Sequence, residues 1–472
     1  LPQLPRVGDR VLTAGVSIAG DGDANTILDG GGGSRVFMVA PSTIVQMSDL
    51  TIRSGYSYYN GGGVLNRGDL TINRSVISGN TSGGSGGGIH NDASYDSETY
   101  VVNNAYLTIV DSTISGNMAN DGGGVSNVSN DYSAYAYTTI NSSSIVGNTA
   151  SNRGGAASST ANSYGAASRM FVQDSTISGN MADSGAGLSN KAYAYGFAAL
   201  DVHESTISGN SATNEGGGVF NYAGGSSADD ANGTADLIIH NSTISGNSGT
   251  NGAGIYTYAY FGTVQIRNAT ITNNEAAGFG GGVYNRYSGY IDDLQSTIIA
   301  GNCIGEGDGC DDAGATPNDV VNNGSVSTAD FNLIGAGDGT ISGANNQVGT
   351  SGMPLDAGLE ALANNGGFTL THALLPTSPA IDAGSNASDS LPFDQRGSAR
   401  TSDDTAVSDA DDGTDIGAFE LSQIAFDFGD APDSYQTVID GGDEIDGPIH
   451  LLGSLFLARS VADAADRLPT LK

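Results

Sequence analysis

The stretch LTINRSVISGN, Leu70–Asn80, decides how the rest of the chain is read. Leu70 and Ile72 point one way along an extended segment, and after the corner Asn73-Arg74 so do Ser75 and Ile77. A period of two is the signature of a strand. The pattern returns as Leu107, Ile109, Ser112, Ile114, as Leu200, Val202, Ser205, Ile207, and as Leu237, Ile239, Ser242, Ile244. Its second half, STISGN, occurs at Ser112–Asn117, Ser175–Asn180, Ser205–Asn210 and Ser242–Asn247, with near-copies at Ser75–Asn80 and Ser143–Asn148. The closing Asn recurs at Asn80, Asn117, Asn148, Asn180, Asn210, Asn247, Asn274 and Asn302, at intervals of 27 to 37 residues. A period near thirty with variable insertions belongs to a solenoid whose insertions are loops.

A further short strand follows each Gly-Asn: GGGVLN (Gly61–Asn66), GGGIHN (Gly86–Asn91), GGGVSN (Gly122–Asn127), GGGVFN (Gly216–Asn221) and GGGVYN (Gly280–Asn285). Three strands in about thirty residues, with every coil in register, describe a parallel β-helix. Coils stacked about 4.8 Å apart make some ten of them a rod roughly 50 Å long. Within it the column Ser75, Ser112, Ser143, Ser175, Ser205, Ser242, Ala269, Ser296 is always small, as a cramped inward slot requires. Ile77, Ile114, Ile145, Ile177, Ile207, Ile244, Ile271 and Ile298 form an aliphatic ladder whose burial adds coil by coil. Gly before the Asn permits a left-handed corner, and each Asn amide can pair with the Asn above and below. The repetition serves shape.

Composition agrees. The 472 residues include 72 Gly, yet Val, Ile, Leu and Tyr are plentiful enough to bury a large core. The 51 Asp and Glu outweigh 16 Lys and Arg, a net charge of −35, which argues against polyanionic partners, nucleic acid among them. No apolar run is long enough to cross a membrane as a helix. The chain opens at Leu1 rather than Met, as a processed protein would. Cys303 and Cys310 bracket CIGEGDGC, a loop that can close as a disulfide in an exported protein; two free thiols are the alternative.

The end of the repeats carries STIIAGN (Ser296–Asn302), DFNLIG (Asp330–Gly335), SPAIDAGSN (Ser378–Asn386), FDQRGSAR (Phe393–Arg400) and DIGAFE (Asp415–Glu420), in that order. Over about residues 20–421 the chain resembles the bacterial choice-of-anchor Q family, surface-exported proteins of the pectin-lyase-like fold. That resemblance implies a right-handed parallel β-helix and an extracellular or cell-surface location. DFGDAPDSY (Asp427–Tyr435) and GPIHLLGS (Gly447–Ser454) resemble the opening of a module found in large bacterial adhesins, and no sorting signal follows them. The expected organisation is a cap or connector over 1–20, the β-helix over 21–350, a capping region over 351–421 and an extended acidic tail over 422–472 suited to docking a partner.

A pectin-lyase-like fold can carry polysaccharide lyases and hydrolases, so chemistry has to be tested. A hydrolase needs clustered carboxylates, and β-elimination needs a base beside a cation-held acid. The outward positions of the first strand are Thr71, Thr108, Thr139, Phe171, Asp201, Ile238 and Gln265, of which Asp201 alone is acidic. Asp111, Asp174 and Glu204 recur at the corner before the Ser column, but Ser142 interrupts them. His203 and His240 share a corner column that elsewhere holds Asn73, Asn141, Gln173 and Arg267, which reads as a variable polar position. No catalytic residue is assigned.

Tyrosines cluster after the third strand, and in AYAY (Ala134–Tyr137 and Ala192–Tyr195) they alternate with Ala. Stacked coils would align Tyr135, Tyr137, Tyr193, Tyr195, Tyr256, Tyr258 and Tyr260 into a stripe suited to sugars or protein contact; a ladder that merely covers a loop is the bland alternative. Residues 303–446 hold 26 acidic residues against two Arg. SDADDGTD and DGGDEIDG offer Asp409, Asp411, Asp412, Asp415, Asp440, Asp443 and Asp446 as oxygen ligands for structural Ca²⁺, with solvated acidic loops as the alternative. Taken together, the expectation is a non-catalytic structural or adhesive protein whose partners are copies of itself, joined end to end, or matrix glycans; the alternatives are a polysaccharide-active enzyme and a carbohydrate-binding module.

Overall fold

The computed structural model describes residues 9–96, 101–224, 233–259, 261–286, 289–305, 309–310, 314–337, 341–387, 391–404, 407–421, 426–427 and 450–451. The described residues contain no helix. They form a parallel β-helix whose strands stack into sheets of 11, 12, 10 and 12 strands, parallel but for Thr316–Pro317 in the third and Val101–Asn103 in the fourth. One coil shows the plan: Asp69–Asn73 in the first sheet, Val76–Ser78 in the second, Thr81–Ser82 in the third and Ile89–Asp96 in the fourth. Eleven strands in the first sheet span about 50 Å at 4.8 Å each. Strand Arg10–Leu12 already pairs in the fourth sheet and Val16–Ala19 in the first, so regular stacking begins at Arg10.

The coil thus has four legs where three were expected. The extra leg follows each Gly-Asn corner, as in Met118–Asp121, Thr149–Arg153 and Met181–Ala182. It carries no aliphatic alternation, because its inward side chains are the alanines Ala119, Ala150, Ala182 and Ala212. A strand built on Ala shows little β propensity in its sequence.

Inside, the expected columns are in register. Leu70, Leu107, Thr138, Met170, Leu200 and Leu237 stack in the first sheet, as do Ile72, Ile109, Ile140, Val172, Val202 and Ile239. The ladder Ile77, Ile114, Ile145, Ile177, Ile207, Ile244, Ile271 is fully buried in the second sheet. Its next member is Ile299 rather than Ile298. STIIAGN is one residue longer than STISGN, so counting back from Asn302 places Thr297 in the Ser column and Ser296 in the corner, where its φ is 44°.

The Ser column does more than fit a small slot. Each Ser Oγ accepts the backbone N–H of the Ser one coil earlier, as Ser112 Oγ does from Ser75 at 3.1 Å, and donates to the carbonyl two residues back, here Val110 at 2.7 Å. The bonds repeat through Ser143, Ser175, Ser205 and Ser242. The Asn column is a continuous amide ladder. Asn117 Nδ2 donates to Asn148 Oδ1 at 2.9 Å and to the Ile77 carbonyl, and the Asn117 N–H reaches the same Oδ1 at 3.0 Å. The series runs from Asn80 through Asn180, Asn210, Asn247 and Asn274 to Asn302. Asp319 ends it, its Oδ1 taking both N–H donors of Asn302 and its Oδ2 the N–H of Ala336. The preceding Gly116 has φ 60° and open space where a Cβ would sit, so backbone conformation alone selects glycine there. In the triplets, Gly123 is selected by contact: a Cβ would lie 2.5 Å from the Gly155 carbonyl oxygen of the next coil.

Residues 351–421 do not sit on the end of the rod as a lid. They lie along the flank of the last coils, over the outward column Thr206, Thr243, Thr270, Ile298, Leu333 of the second sheet. Leu370 O accepts from Thr206 Oγ1, Gln395 Oε1 from Thr243 Oγ1, and His372 Nε2 meets Ser245 Oγ at 2.8 Å. Leu374, Ala380, Ile381, Ile416 and Phe419 pack on Ile298 and Leu333. Beneath this strap Arg400 is wholly buried, bonded to the Gly417 carbonyl and to Asn241 Oδ1, with Glu420 3.8 Å away. Residues 1–421 form one compact unit and 422–472 a second. Of the second, Phe426–Asp427 pairs antiparallel with His450–Leu451, and the rest of the expected docking tail lies outside the described residues.

Two outcomes follow from the ladder. Asn180→Ala removes the acceptor of the Asn148 N–H and the side-chain donor to the Ile145 carbonyl inside the rod, and leaves Asn148 Nδ2 with its backbone acceptors alone. Buried polar groups left unpaired cost about 1–3 kcal/mol each, so denaturation should show a loss of roughly 3 kcal/mol; an unchanged midpoint would mean that the amides do not hold the coils. Burial raises Asp319 to about 6, above its unfolded value of about 4. Stability from this group is therefore present below pH 4 and lost as pH rises through 6. Hydrogen exchange around Asn302 and Ala336 should quicken between pH 5 and 7, and Asp319→Asn, which continues the amide ladder, should remove that dependence.

Candidate functional site

Alternation along GGGIHNDA sends Ile89, Asn91 and Ala93 into the rod and leaves His90 and Asp92 on the outer face of the fourth sheet. Register then fixes two outward columns. One reads His90, Ser126, Ser158, Ser189, Phe220, Tyr256, Tyr284; the other reads Asp92, Val128, Thr160, Lys191, Tyr222, Tyr258. This outer face is recessed. The turns carrying Asn60, Ser85, Asp121 and Arg153 wall it on one side, and Asn130, Asn162 and Tyr193 wall it on the other, around a cavity of about 210 Å³.

The groove floor is polar at one end and aromatic at the other. At the polar end His90 is completely buried, neither ring nitrogen has a hydrogen-bond partner, and burial pushes its pKa down to about 4. Asp92 lies 3.9 Å from its Nε2 and is held by Arg67 at 2.8 Å. The hydroxyls of Ser126 and Ser158, in the same column, are buried with no partner, and so is Arg153 Nε. Lys191 is 7% exposed, with its ammonium 4.1 Å from the centre of the Tyr193 ring and 6.0 Å from that of Tyr222. Burial, and then the Arg153 charge, lower Lys191 to about 7 although Asp121 opposes them. Asp121 itself is raised by burial. At the aromatic end Phe220 and Tyr256 stack at 5.4 Å, and the rings of Tyr222 and Tyr258 are tilted with centroids 5.4 Å apart. Arg286 donates to the Tyr256 hydroxyl, whose pKa burial raises to about 12.

The expected Tyr stripe is divided among three places. Tyr256, only 2% exposed, and Tyr258 belong to this floor. Tyr135 and Tyr137 stand in the first sheet, on the strand that begins the next leg, with rings 6.2 Å apart. Tyr193 and Tyr195 lie at the turn between the two sheets, and Tyr260 is outside the described residues. AYAY begins five residues beyond the fourth-sheet strand that ends at Ser129 but on the last residue of the strand that ends at Ala192, so the same motif enters the first sheet in one coil and stays in the turn in the other. At that turn Tyr132, Tyr164 and Tyr195 make an exposed ladder, with centroids 5.6 and 5.7 Å apart, along the groove's rim. Tyr164 was missed, although Tyr132, Tyr164 and Tyr195 keep the period of the coils. Phe220 and Tyr222 were missed too, because outward columns change chemistry from coil to coil.

The other candidates fall elsewhere. His203 and His240 are register partners with rings 5.1 Å apart, on the first sheet beside Phe171. Asp111, Asp174 and Glu204 occupy left-handed corners, with φ of 48° to 49°. Cys303 and Cys310 are joined by a disulfide. Of the proposed Ca²⁺ ligands, Asp415 is buried and spends its oxygens on the N–H groups of Asp382 and Leu421. Asp411 accepts from Ser385 Oγ and Asp412 from the Asn386 N–H. Asp409 alone joins a possible cation set, with Asp382 and Asp403, their oxygens within 4.8 Å of one another. Asp440, Asp443 and Asp446 lie outside the described residues.

No protein-family model matches this chain, and no curated protein matches it. The five ordered motifs from STIIAGN to DIGAFE lie in the last coils and in the flanking strap.

Proposed function

We propose that this protein is an exported, adhesive β-helix that holds an extended glycan along the groove of its fourth sheet without altering it. The observation that carries the reading is the Tyr132–Tyr164–Tyr195 ladder beside a floor of buried, unpartnered polar groups. Exposed rings repeated near the coil spacing, the first two stacked and the third turned edge-on, offer a polymer lying along the rod an apolar contact at each step, and each hydroxyl adds a polar handle. Monomers keep such surfaces when they bind something. Export is supported by the Cys303–Cys310 bond, since disulfides persist in oxidising compartments. A net charge of −35 keeps nucleic acid off the candidate list.

A second reading, cleavage by β-elimination, draws on Lys191 with a pKa of about 7 beside Arg153 and Asp121. A general base works best with a pKa near the working pH. Incubation with uronate polymers decides between the two, because cleavage yields an unsaturated product that absorbs in the ultraviolet and holding yields none.

Retention on a panel of immobilised polysaccharides tests the main reading. Tyr132→Ala, Tyr164→Ala and Tyr195→Ala combined should weaken retention by about tenfold or more, since stacked aromatic contacts contribute about 0.5–1.5 kcal/mol each. Phe368→Ala, at a site 77% exposed on the strap, should bind as the parent does. A parent protein that no polysaccharide retains sinks the proposal.

A further inference from the structure

The polar end of the groove is built for a particular charge. A buried ammonium ordinarily sits against a carboxylate, since an unpaired buried ion loses its hydration without recompense. Lys191 does not: its close neighbours are the faces of Tyr193 and Tyr222, and no ion pair forms with it among the described residues. Arg153 lines the same cavity with its Nε unpaired, and so does the fully buried His90, whose ring nitrogens have no hydrogen-bond partner. Ser126 and Ser158 add two unpaired hydroxyls on the same floor. Two cations and the unsatisfied His90 thus meet around about 210 Å³, and the two serines follow His90 in its column. A single water occupies about 30 Å³, so this volume admits several waters or one charged sugar. Asp121 is the only carboxylate among the lining residues, so a cation is poorly served there.

We propose that Lys191 and Arg153, with His90, Ser126 and Ser158 around them, form an anion site that takes the carboxylate or sulfate of an acidic sugar. This rests on the reading of the groove as a glycan-holding surface and names the residue class that the polymer must carry. Arg supplies a planar fork and Lys a point charge, which together match an oxyanion with two or three equivalent oxygens. The aromatic end of the floor and the exposed Tyr rim then receive neighbouring sugar faces. The net charge of −35 opposes the approach of a densely charged polyanion at long range, so the site suits a glycan whose acidic sugars are sparse.

The site is pH-dependent with a definite sign. Lys191 loses its proton as pH rises through about 7, and the other groups facing it are Arg153, Asp121, Tyr193 and Tyr222. Affinity for an acidic sugar therefore falls between pH 6 and 8.5, while affinity for a neutral glycan does not move. A bound anion opposes the loss and raises the Lys191 pKa.

Lys191 and Lys472 are the only lysines, which makes the amine directly readable. The full chain would be labelled with acetic anhydride across pH 6–9, and both sites followed by mass spectrometry. Three probes are added in turn: oligogalacturonate for carboxylate, a sulfated dextran oligomer for sulfate ester, and neutral dextran. The expected result is that one acidic probe slows labelling of Lys191 by about fivefold or more, leaves Lys472 unaffected, and loses its effect in Arg153→Gln. The acidic probe that protects identifies the oxyanion. Equal protection by neutral and acidic probes overturns the anion site and leaves the glycan groove standing. No protection by any probe overturns the anion site as well, and the groove is then judged by the tyrosine variants. Lys191→Arg should keep the preference for acidic polymers and Lys191→Gln should lose it by about tenfold. Equal binding by the two variants, each with an unchanged unfolding midpoint, would also refute the proposal.

Discussion

Everything in this rod depends on a side-chain amide that stands in for backbone at the same corner of successive coils. Asn117 Oδ1 serves two donors from the coil before it, and Asn117 Nδ2 serves a carbonyl of that coil and an oxygen of the next. A sharp corner in a solenoid interrupts the strand ladder and would leave buried N–H and C=O groups without partners. The Asn column restores those partners at the period of the coils, and the Ser column does so at the neighbouring corner through a hydroxyl. Once both corners are satisfied, the straight legs between them need only be apolar inward and compatible in register. That is why the interior varies among Leu, Ile, Val, Met and Thr while Ser and Asn scarcely change.

The ends of such a ladder are where its design becomes visible. At one end Gly55 N–H is the donor that Asn80 accepts. At the other, Asp319 replaces the next Asn and takes three N–H donors with two oxygens, which needs no further acceptor beyond it. An acidic side chain can close an array of donors because it carries none of its own when ionised. The cost is desolvation, which is what raises its pKa. The rod therefore ends on a group whose charge state follows pH, although every other member of the column is indifferent to it.

How much of this could be read beforehand divides along the inner and outer surfaces. Ser112, Ile114 and Asn117 announce themselves because stacking makes each coil repeat its neighbour, so the β-helix, its inward columns and the amide ladder are legible from spacing alone. The offset at Ile299 was lost because one inserted residue in STIIAGN is invisible to an eye aligned on Ser. The Ala-based third leg was lost because alanine carries no strand signal. Arg400, Gln395 and Asp415 could not be placed, since their partners are largely backbone atoms, at sequence distances that run from 6 to 190 residues with no period. The groove was lost for a further reason. Outward columns are free to differ, and His90, Ser158, Lys191 and Tyr222 share no pattern that a periodic reading can detect.

That freedom is also what makes the outer face a place for function. The inner columns fix the rise and register of each coil, so a substitution on the outer face moves one side chain and leaves its neighbours in place. Along the fourth sheet the result is a directional surface: histidine and serine, then lysine, then phenylalanine and tyrosine, set on strands that advance by one coil spacing at a time. On the proposed reading, a polymer laid on it would meet charge at one end and ring faces at the other, so its direction as well as its composition would matter. Rigidity sharpens that distinction, because a floor held by buried ladders pays little ordering entropy when a ligand arrives. The same Ser and Asn that look like mere repetition are what keep Lys191 poised between two rings with its charge uncompensated.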